Sequence, residues 1–445
     1  MENTIKYNTE ISERIALSKW SGKHWMIFLA ASSSFLMWGI ALSIAPLITT
    51  WYFVPSTAYY YIIGAAPAGL LSGNIAMGAL SDWRGRKNSY IITMGLTIAG
   101  LIGIGITFNY ILLIIFVFIA EFGLGGDETV SLSIMAEYFP TKYRGPAIVE
   151  SSNMANIGIT VMAAIFILFS SSVFVQKIAL IVIAIFGGFV SLLARSRINE
   201  SALWETGKNI HAREFNFRDL IKFIALTLMG VAIIVGFAFS DLVLGPFHFP
   251  QFTDLIIFFS VFAESVTGVA GGFAIGRTGR KYTSMIGFSG MFASWIILLL
   301  FFNIVISNLY ILLLMLAISS VFGEIAWGSR ELLEPENFVS RYRGRGIGSV
   351  RLTGYAVYIA FIFLLAGAGV HLYAFFILIV YLLGSTAMRS LLNLKAVTEY
   401  HGKILENKYL ITLHPAAALR NPASLEIMKS DFEILNNYLK SHENS

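Results

Sequence analysis

Several carboxylates lie inside segments of the chain that are otherwise apolar. The segment 110–137 contains Glu121, Asp127 and Glu128 among leucine, isoleucine, phenylalanine and glycine residues. A charged acid at the centre of a membrane helix costs roughly 2.5–3.5 kcal/mol or more, so each one needs a function or a partner. Removal from water favours the protonated carboxyl, which is suited to carrying a proton. Asp127 and Glu128 are therefore candidate proton-coupling residues.

Helical geometry separates these acids. Glu121 and Glu128 are two turns apart on one face, whereas Asp127 points about 100° away. The alternative interpretation is structural, with Asp127 or Glu128 paired to Arg351 or Arg330 further along the chain.

Glu264 is a third candidate for proton coupling. It shares a helical face with Gly268, Gly272 and Gly276. Small residues at this spacing are typical of close helix packing in membranes. We therefore expect Glu264 to face protein or a cavity.

A second set of residues has the chemistry to bind a small solute. Asn153 and Asn156 share a face at i, i+3, and Trp327 can stack on a bound group. Asp241 lies either in a cavity or at the outer rim. Arg351 either holds an anion or neutralises a carboxylate, and we favour the second because acids outnumber buried cations. Interhelical packing is the alternative for each of the candidate cavity residues, which are Asn153, Asn156, Asp241, Glu324, Trp327 and Arg351.

The composition places all these residues in an integral membrane protein. The chain is 56% hydrophobic and 13% charged, about half the usual charged share, with a mean hydropathy of +0.73. Its net charge of +5 does not indicate nucleic acid, because the charges lie in loops. Cysteine is absent, which excludes disulfides and thiolate metal sites.

Twelve segments are long enough to cross a bilayer as helices, which predicts an all-α membrane fold. They are 24–47, 58–81, 88–108, 110–137, 145–171, 177–195, 220–245, 253–276, 282–303, 308–333, 345–368 and 370–394. Six lie on each side of a charged central loop, so we divide the chain into an N-terminal segment 1–23, a half 24–195, the loop 196–219, a half 220–394 and a tail 395–445.

Lysine and arginine cluster in alternate connections, with only Lys177 on the opposite side. This asymmetry predicts that the basic connections and both termini are cytoplasmic, in a plasma membrane. In the tail, five apolar residues at helical spacing are consistent with an amphipathic helix or with a solvated tail: Leu425, Met428, Phe432, Leu435 and Leu439.

Two motifs occur twice. DWRGRK (82–87) returns as GRTGRK (276–281), 194 residues later, and EYFPTKYRG (137–145) returns as ENFVSRYRG (336–344), 199 residues later. Matched motifs in the same order at nearly the same offset indicate a duplicated membrane domain.

The first motif suggests a conformational latch. Asp82 ends a helix where the dipole disfavours a carboxylate, so it needs a partner: Arg86, Arg144 or the N-terminus of a helix in the other half. Gly85 allows a tight turn, and Arg86 and Lys87 can anchor to lipid headgroups. The alternative is that the motif is only a basic loop on the cytoplasmic side, without a role in conformational change. Because Gly276 replaces the aspartate in the second copy, we expect this latch to be strong in the first half only.

In the second motif, Glu137 and Arg144, and likewise Glu336 and Arg343, are spaced for helix-end ion pairs. We interpret these four residues as structural or gating groups.

The motifs resemble those of the major facilitator superfamily over residues 20–395. GALSDWRGRK (78–87) is similar to its G-x-L-x-D-x-x-G-R-K loop, and AEYFPTKYRG (136–145) resembles the E-x-x-P-x-x-x-R-G motif of its sugar-porter and metabolite–proton symporter branches. GLGGDETVSLSIMAE (123–137) resembles the fourth helix of phosphate and related anion symporters. RINESALW (197–204) resembles a degraded form of the P-E-S-P-R-W-L motif that follows the sixth helix. The chain departs from sugar porters in lacking a Gln-Gln pair in GVAIIVGFAFSD (230–241), and FLMWGIALSIAP (35–46) contains no carboxylate.

The resemblance implies two six-helix halves that work by alternating access. It makes Asp127, the aspartate of the G-G-D pattern, the preferred proton-coupling residue over Glu128, and it implies that Asp82 contacts the helix starting near Arg345. The gating set it suggests is Gly78, Asp82, Gly85, Arg86, Lys87, Glu137, Arg144, Glu336 and Arg343.

We therefore predict a secondary active transporter, coupled to protons, for a small polar metabolite such as an organic acid, phosphate or a sugar-like solute. The alternatives are a proton-coupled antiporter exporting cationic or amphipathic compounds and a transport-deficient nutrient sensor. No nucleotide-binding loop, nucleophile triad or histidine-rich cluster is evident. We expect no enzyme activity, cofactor, metal or nucleic acid, and as partners only the solute, protons and the lipid bilayer, with a monomeric protein.

Overall fold

The structure is a computed structural model. It describes residues 17–196, 217–338, 343–393, 403–405, 409–411, 429–430 and 433. Its helices account for all twelve predicted membrane segments, each long and apolar enough to cross a bilayer.

We number these membrane helices α1 to α12. Their bounds are α1 Gly22–Leu47, α2 Tyr59–Arg84, α3 Arg86–Ile106, α4 Tyr110–Tyr138, α5 Thr141–Leu168, α6 Val173–Ser196, α7 Phe217–Phe237, α8 Pro250–Ala274, α9 Thr278–Leu300, α10 Leu309–Asn337, α11 Arg343–Leu365 and α12 Val370–Asn393. Helix α7 continues through a π-helical segment, Ala238–Val243, into Leu244–His248, and a short helix, Phe302–Ser307, precedes α10.

The predicted boundaries differ from these by up to four residues, apart from the end of α7, where the predicted segment 220–245 also covers the π-helical segment and part of Leu244–His248. Helix α5 starts at Thr141, directly after Pro140, and α10 ends at Asn337. Hydropathy marks only the part of a helix within the hydrocarbon, so polar turns that extend beyond it are missed.

The internal repeat is visible in the turns that begin and end the helices. Gly85 and Gly279, the equivalent glycines of the two basic motifs, both have positive φ, 103° and 74°. Only glycine adopts this conformation without a steric penalty. Asn109 and Asn308, again 199 residues apart, accept hydrogen bonds from the first amides of α4 and α10.

We call α1–α6 the first half and α7–α12 the second half. Between the halves, α2 packs against α11, and α5 packs against α8. The end of the bundle with the basic motifs is called the basic end, and the other the opposite end. Exposed apolar side chains cover the outside, for example Phe186 and Phe189 on α6, as expected for a surface that faces lipid.

Lys177, the exception to the charge asymmetry, lies buried at the opposite end. Its ammonium group donates to the carbonyl of Thr107 and lies 4.0 Å from the ring centroid of Phe108. A cation at the C-terminus of α3 is stabilised by unpaired carbonyls and by the helix dipole. The residue therefore caps a helix.

Internal packing divides the chain into two units, Met1–Met388 and Arg389–Ser445. Within the second unit, Lys403–Leu405 (β1) and Tyr409–Ile411 (β2) form an antiparallel hairpin. The sequence did not predict it, since three-residue strands leave too short a pattern. The proposed amphipathic residues Leu425, Met428, Phe432, Leu435 and Leu439, and the segment 197–204, lie outside the described residues.

Candidate functional site

A small cavity of about 20 Å³ lies between the two halves. The first half contributes Trp38 from α1 and Asn156 from α5, and the second contributes side chains from α7, α8, α9, α10 and α12. A volume of this size holds about one water molecule. We call it the central cavity.

Three carboxylates line the central cavity, one from each of three helices: Asp241, Glu264 and Glu324. All three side chains are at least nine-tenths buried. Asp241 accepts a hydrogen bond from Ser320 (3.3 Å), and Glu324 accepts one from Asn156 (2.7 Å). Of the two positions that the sequence allowed for Asp241, the structure shows the cavity. Asp241 lies in the π-helical segment of α7, a feature that is frequent at functional sites.

Asn153 and Asn156 lie together but do different things. Asn156 lines the cavity and also donates to Asn153 Oδ1 (3.2 Å), while Asn153 donates to the carbonyl of Ser265 on α8 (2.9 Å). An added Cβ at Gly268 would overlap the Asn153 amide. The glycine face that the sequence singled out thus lets α8 approach α5 of the other half.

Aromatic rings form the remaining walls. The Trp38 and Trp327 ring centroids are 6.0 Å apart, and Phe237 lies 6.3 Å from Trp327. Sequence reasoning found Trp327 but missed Trp38 and Tyr381, which also line the cavity. A tryptophan in the middle of α1, far from either end, was the available signal for Trp38, because tryptophan is commonest at the membrane interface.

Arg351 lies in a buried charge cluster that links α4, α10 and α11. It pairs with Glu128 of the first half, with Glu331 (2.8 Å) and with Glu334 (2.7 Å). Arg330 pairs with Glu334 at 2.8 Å, and all five side chains are fully buried. Arg351 therefore neutralises carboxylates, as the favoured interpretation of the sequence predicted. It does not line the central cavity.

Asp127 faces the interior of the first half. Its Oδ2 accepts a hydrogen bond from Ser34 on α1, while Oδ1 has no hydrogen-bond partner among the described residues. Arg195 of α6 interacts electrostatically with Asp127, and its guanidinium stacks 3.4 Å from the Tyr90 ring centroid. The structure therefore separates Asp127 from Glu128, which is bound to Arg351.

At the basic end, the contact of Asp82 joins the halves. Its carboxylate accepts hydrogen bonds from the amides of Gly344 (3.3 Å) and Arg345 (2.9 Å), the first residues of α11. Gly78 makes this approach possible, because an added Cβ there would lie 3.1 Å from the Gly344 carbonyl oxygen. Of the three partners considered for Asp82, the helix N-terminus of the other half is observed. The Arg86 side chain lies outside the described part of the structure.

The second motif also contributes a contact between halves. Arg343 donates to Glu137 (3.0 Å), and Glu336 pairs with Arg280. Arg144 donates to the carbonyl of Phe139 (3.0 Å). The pair of Arg343 with Glu137 joins the two halves, which the spacing within each motif did not predict. It is possible because α4 and α11 meet between the halves.

At the opposite end the halves meet through aromatic rings. Tyr60 of α2 lies 4.7 Å from Phe247 and 6.3 Å from Phe363 between ring centroids. The two half-domains are therefore in contact on both sides of the central cavity. Within the described ranges, no group of three or more histidine, aspartate or glutamate side chains is arranged to hold a metal ion.

Two six-helix halves that touch at both ends of a central cavity define a membrane transporter fold. The family model described as "Major Facilitator Superfamily" matches residues 27–361, and the chain belongs to this family. It is a multi-pass membrane protein.

Sequence relatives match a limited part of the chain. "Low affinity inorganic phosphate transporter 5" of Petunia hybrida is 32% identical over 132 residues, which cover 28% of this chain and 25% of that protein. "Inorganic phosphate transporter 1-11" of Oryza sativa subsp. japonica is 36% identical over 124 residues, 26% of this chain and 22% of that protein. The chain thus spans about a quarter of the length of these curated relatives.

Solved structures match nearly the whole membrane domain. The xylose transporter XylE from E. coli, in a partially occluded inward-open conformation, superposes with a TM-score of 0.64 at 16% identity, covering 84% of this chain and 98% of that one. The human organic anion transporter MFSD10 gives a TM-score of 0.61 at 14% identity, with coverages of 83% and 100%. At sequence identities of 14–16%, this structural similarity establishes the fold alone.

Proposed function

We propose that this protein is a proton-coupled secondary active transporter that moves a small polar solute by alternating access. One observation carries the proposal: the same two halves touch on both sides of a small cavity lined with buried acids. Opening one set of contacts while keeping the other exposes the cavity to one side of the membrane at a time. The moving bodies are the two halves, 24–195 and 220–394.

The closed state itself supports this mechanism. A cavity of about 20 Å³ does not accommodate a metabolite, so the solute enters only after the halves separate at one end. The contacts at the basic end are polar, and those at the opposite end are aromatic. Different chemistry at the two ends allows each closure to be stabilised independently.

Asp127 is the proposed proton-binding residue. Glu128 forms an ion pair with Arg351, which neutralises its charge, whereas no ion pair is observed for Asp127 among the described residues, and its Oδ1 has no hydrogen-bond partner among them. A buried, partly unsatisfied carboxyl is favoured in the neutral form, and movement of the surrounding helices would change its access to water. Glu264, also a proton-coupling candidate, belongs to the central cavity.

The basic end is proposed to face the cytoplasm of a cell whose plasma membrane contains the protein, with both termini on that side. Alternate connections there contain the lysines and arginines, among them Arg84, Lys87, Arg280 and Lys281. We expect a monomer to suffice, since the central cavity is formed within one chain.

The test uses the purified full-length protein in liposomes with an imposed pH gradient. Radiolabelled inorganic phosphate, xylose and benzyltrimethylammonium are supplied separately, and uptake is compared with and without the gradient. We expect at least one solute to move in a gradient-dependent manner, and Asp127→Asn to abolish the dependence on the gradient. Movement of solute and protons in the same direction identifies a symporter, and opposite movement an antiporter.

The control is Asp254→Asn, a change at the opposite end that leaves the first-half interior intact. It should retain gradient-driven uptake. If the wild-type protein binds a solute but moves none of the three, the transport proposal is wrong and the nutrient-sensor alternative is favoured. Full gradient dependence in Asp127→Asn would contradict the assignment of the proton to Asp127.

A further inference from the structure

We propose that the central cavity binds an organic cation: a solute with a protonated amine or quaternary ammonium group joined to an aromatic or apolar group. This inference names the substrate class for the proposed transport function and rests on it. It is argued from the charge, the unpaired atoms and the shape of the cavity.

The charge of the cavity walls has one sign. Asp241, Glu264 and Glu324 converge from three helices, and none of the described residues that line the cavity is lysine, arginine or histidine. The nearby guanidinium groups of Arg330 and Arg351 are held by Glu334 and by the rest of their own cluster. An anionic solute would therefore meet carboxyl groups with no free cation to bind it, whereas a bound cation would stabilise the ionised form of these groups.

Two buried polar atoms in the cavity wall lack hydrogen-bond partners among the described residues. One is Oε1 of Glu324, whose side chain is 4% exposed, and the other is Nε1 of Trp38, which is 3% exposed. An unsatisfied buried polar atom is costly and calls for a ligand or water. A protonated amine can donate a hydrogen bond to the free Glu324 oxygen, and a quaternary ammonium group can pair with its charge.

The aromatic walls suit the same kind of solute. Trp38, Phe237 and Trp327 form a continuous set of rings beside the acids. A cation over the face of an aromatic ring within about 6 Å is attracted by the ring quadrupole, and quaternary ammonium groups are bound in this way.

A second cavity adjoins the first through Glu324. It has a volume of about 220 Å³ and lies between α5, α8 and α10, towards the basic end. Apart from Glu324 its walls are glycine, alanine, valine, isoleucine and threonine, for example Val149, Gly268 and Ile325. A solute with its charge at Glu324 could place an apolar group here, so the joined cavities fit an amphipathic cation.

The experiment measures binding to the purified full-length protein in detergent. The probe is benzyltrimethylammonium, whose charge does not depend on pH, compared with benzyl alcohol and inorganic phosphate. Quenching of tryptophan fluorescence and the shift in thermal unfolding are both recorded, since Trp38 and Trp327 line the cavity. We expect saturable binding of the cation, with little response to the alcohol or to phosphate.

Glu324→Gln should weaken binding of the probe at least tenfold, because it removes the charge and keeps the shape. Glu264→Gln provides the same test should Glu324→Gln not fold. The matched control is Glu121→Gln: Glu121 is buried like Glu324 but does not line either cavity. It should bind the probe as the wild-type protein does.

Phosphate binding in the cavity in preference to the cation overturns the inference, as does unchanged cation binding in both Glu324→Gln and Glu264→Gln. These results are distinct from failure of the transport proposal. If the cation binds in detergent but does not move across liposomes, the cavity assignment stands and transport fails. If phosphate moves and the cation neither binds nor moves, transport stands and this inference fails.

Discussion

Asp82 is the clearest case of a single residue that connects sequence, structure and motion. It ends α2, where its own helix dipole disfavours a negative charge, and it accepts hydrogen bonds from the first amides of α11, where the dipole favours one. The contact exists only while the halves touch at the basic end. In the proposed transport cycle this residue would therefore stabilise one state and not the other.

Asp82→Asn should weaken closure at the basic end by about 0.3–1 kcal/mol, the usual contribution of a charge at a helix terminus. The chain has no cysteine, so Ser240→Cys introduces a unique thiol in the central cavity. We expect a membrane-impermeant maleimide applied at the basic side to label this thiol about two- to fivefold faster when Asp82→Asn is present.

Asp254→Asn, made in the same Ser240→Cys protein, removes a carboxylate from the opposite end and should leave this labelling rate unchanged. Equal labelling with and without Asp82→Asn would show that the contact does not contribute to closure.

At the residue level, sequence was informative where the side chain was chemically out of place. Asp241, Glu264 and Glu324 are acids in apolar helices, and all three were candidates before their positions were known. Sequence analysis did not identify Trp38 and Tyr381, because aromatic residues make up 14% of the chain and none of them stands out by type alone. The resemblance favoured Asp127 over Glu128 for proton coupling, but the sequence could not predict which of the two pairs with Arg351, because adjacent residues on a helix differ only in the direction they face.

At the level of elements, the charge cluster links α4 of the first half to α10 and α11 of the second. Counted as ionised, Glu128, Glu331 and Glu334 face the two guanidinium groups of Arg330 and Arg351. Burial penalises the uncompensated charge, so neutrality of the cluster requires one additional proton. The charge balance of the cluster thus depends on Arg351, which contacts all three acids.

Arg351→Met should lower the free energy of unfolding by about 3–5 kcal/mol, because it leaves buried carboxylates without their partner. The measurement is thermal or denaturant unfolding of the protein in detergent. Arg280→Met is the matched control: Arg280 pairs with Glu336 at a surface where its side chain is 37% exposed, and an exposed pair contributes at most about 1 kcal/mol. Similar losses in the two variants would contradict a structural role for the cluster.

The helix boundaries could be predicted from the lengths of the apolar segments, but which helices pack against each other could not. The caps by Asn109 and Asn308 and the positive φ of Gly85 and Gly279 are local features that the repeat contains. The pairing of Glu137 with Arg343 is not local, since it depends on α4 and α11 meeting between halves. Both residues could be singled out in the sequence, but that they pair with each other could be seen only in the fold.

At the scale of the whole molecule, the proposed mechanism requires two sets of contacts to open in turn. Polar contacts close the basic end, and the rings of Tyr60, Phe247 and Phe363 close the opposite end. The duplicated motifs predicted the two halves. They could not predict that both ends are closed, because the states of the cycle differ by only a few kcal/mol.

Joining the halves at the opposite end should stop transport. Tyr60→Cys and Phe363→Cys, linked by a short reducible thiol cross-linker, would hold α2 against α11. We expect uptake of the solute identified in liposomes to fall to background and to recover after reduction.

The control pair is Phe53→Cys with Phe108→Cys, whose native rings are 5.5 Å apart within the first half. Linking it constrains no movement between halves, so uptake should continue. Transport that persists in the protein linked between residues 60 and 363 would rule out separation of the halves at this end.

The water-sized central cavity has a consequence for the membrane around it. A membrane that stores energy as a difference in proton concentration loses that energy through any continuous column of water. Here the walls meet on both sides of a space for about one water molecule. Contacts between the halves at both ends interrupt a direct column of water along the interface, so we expect a carrier idle in this state not to discharge the membrane.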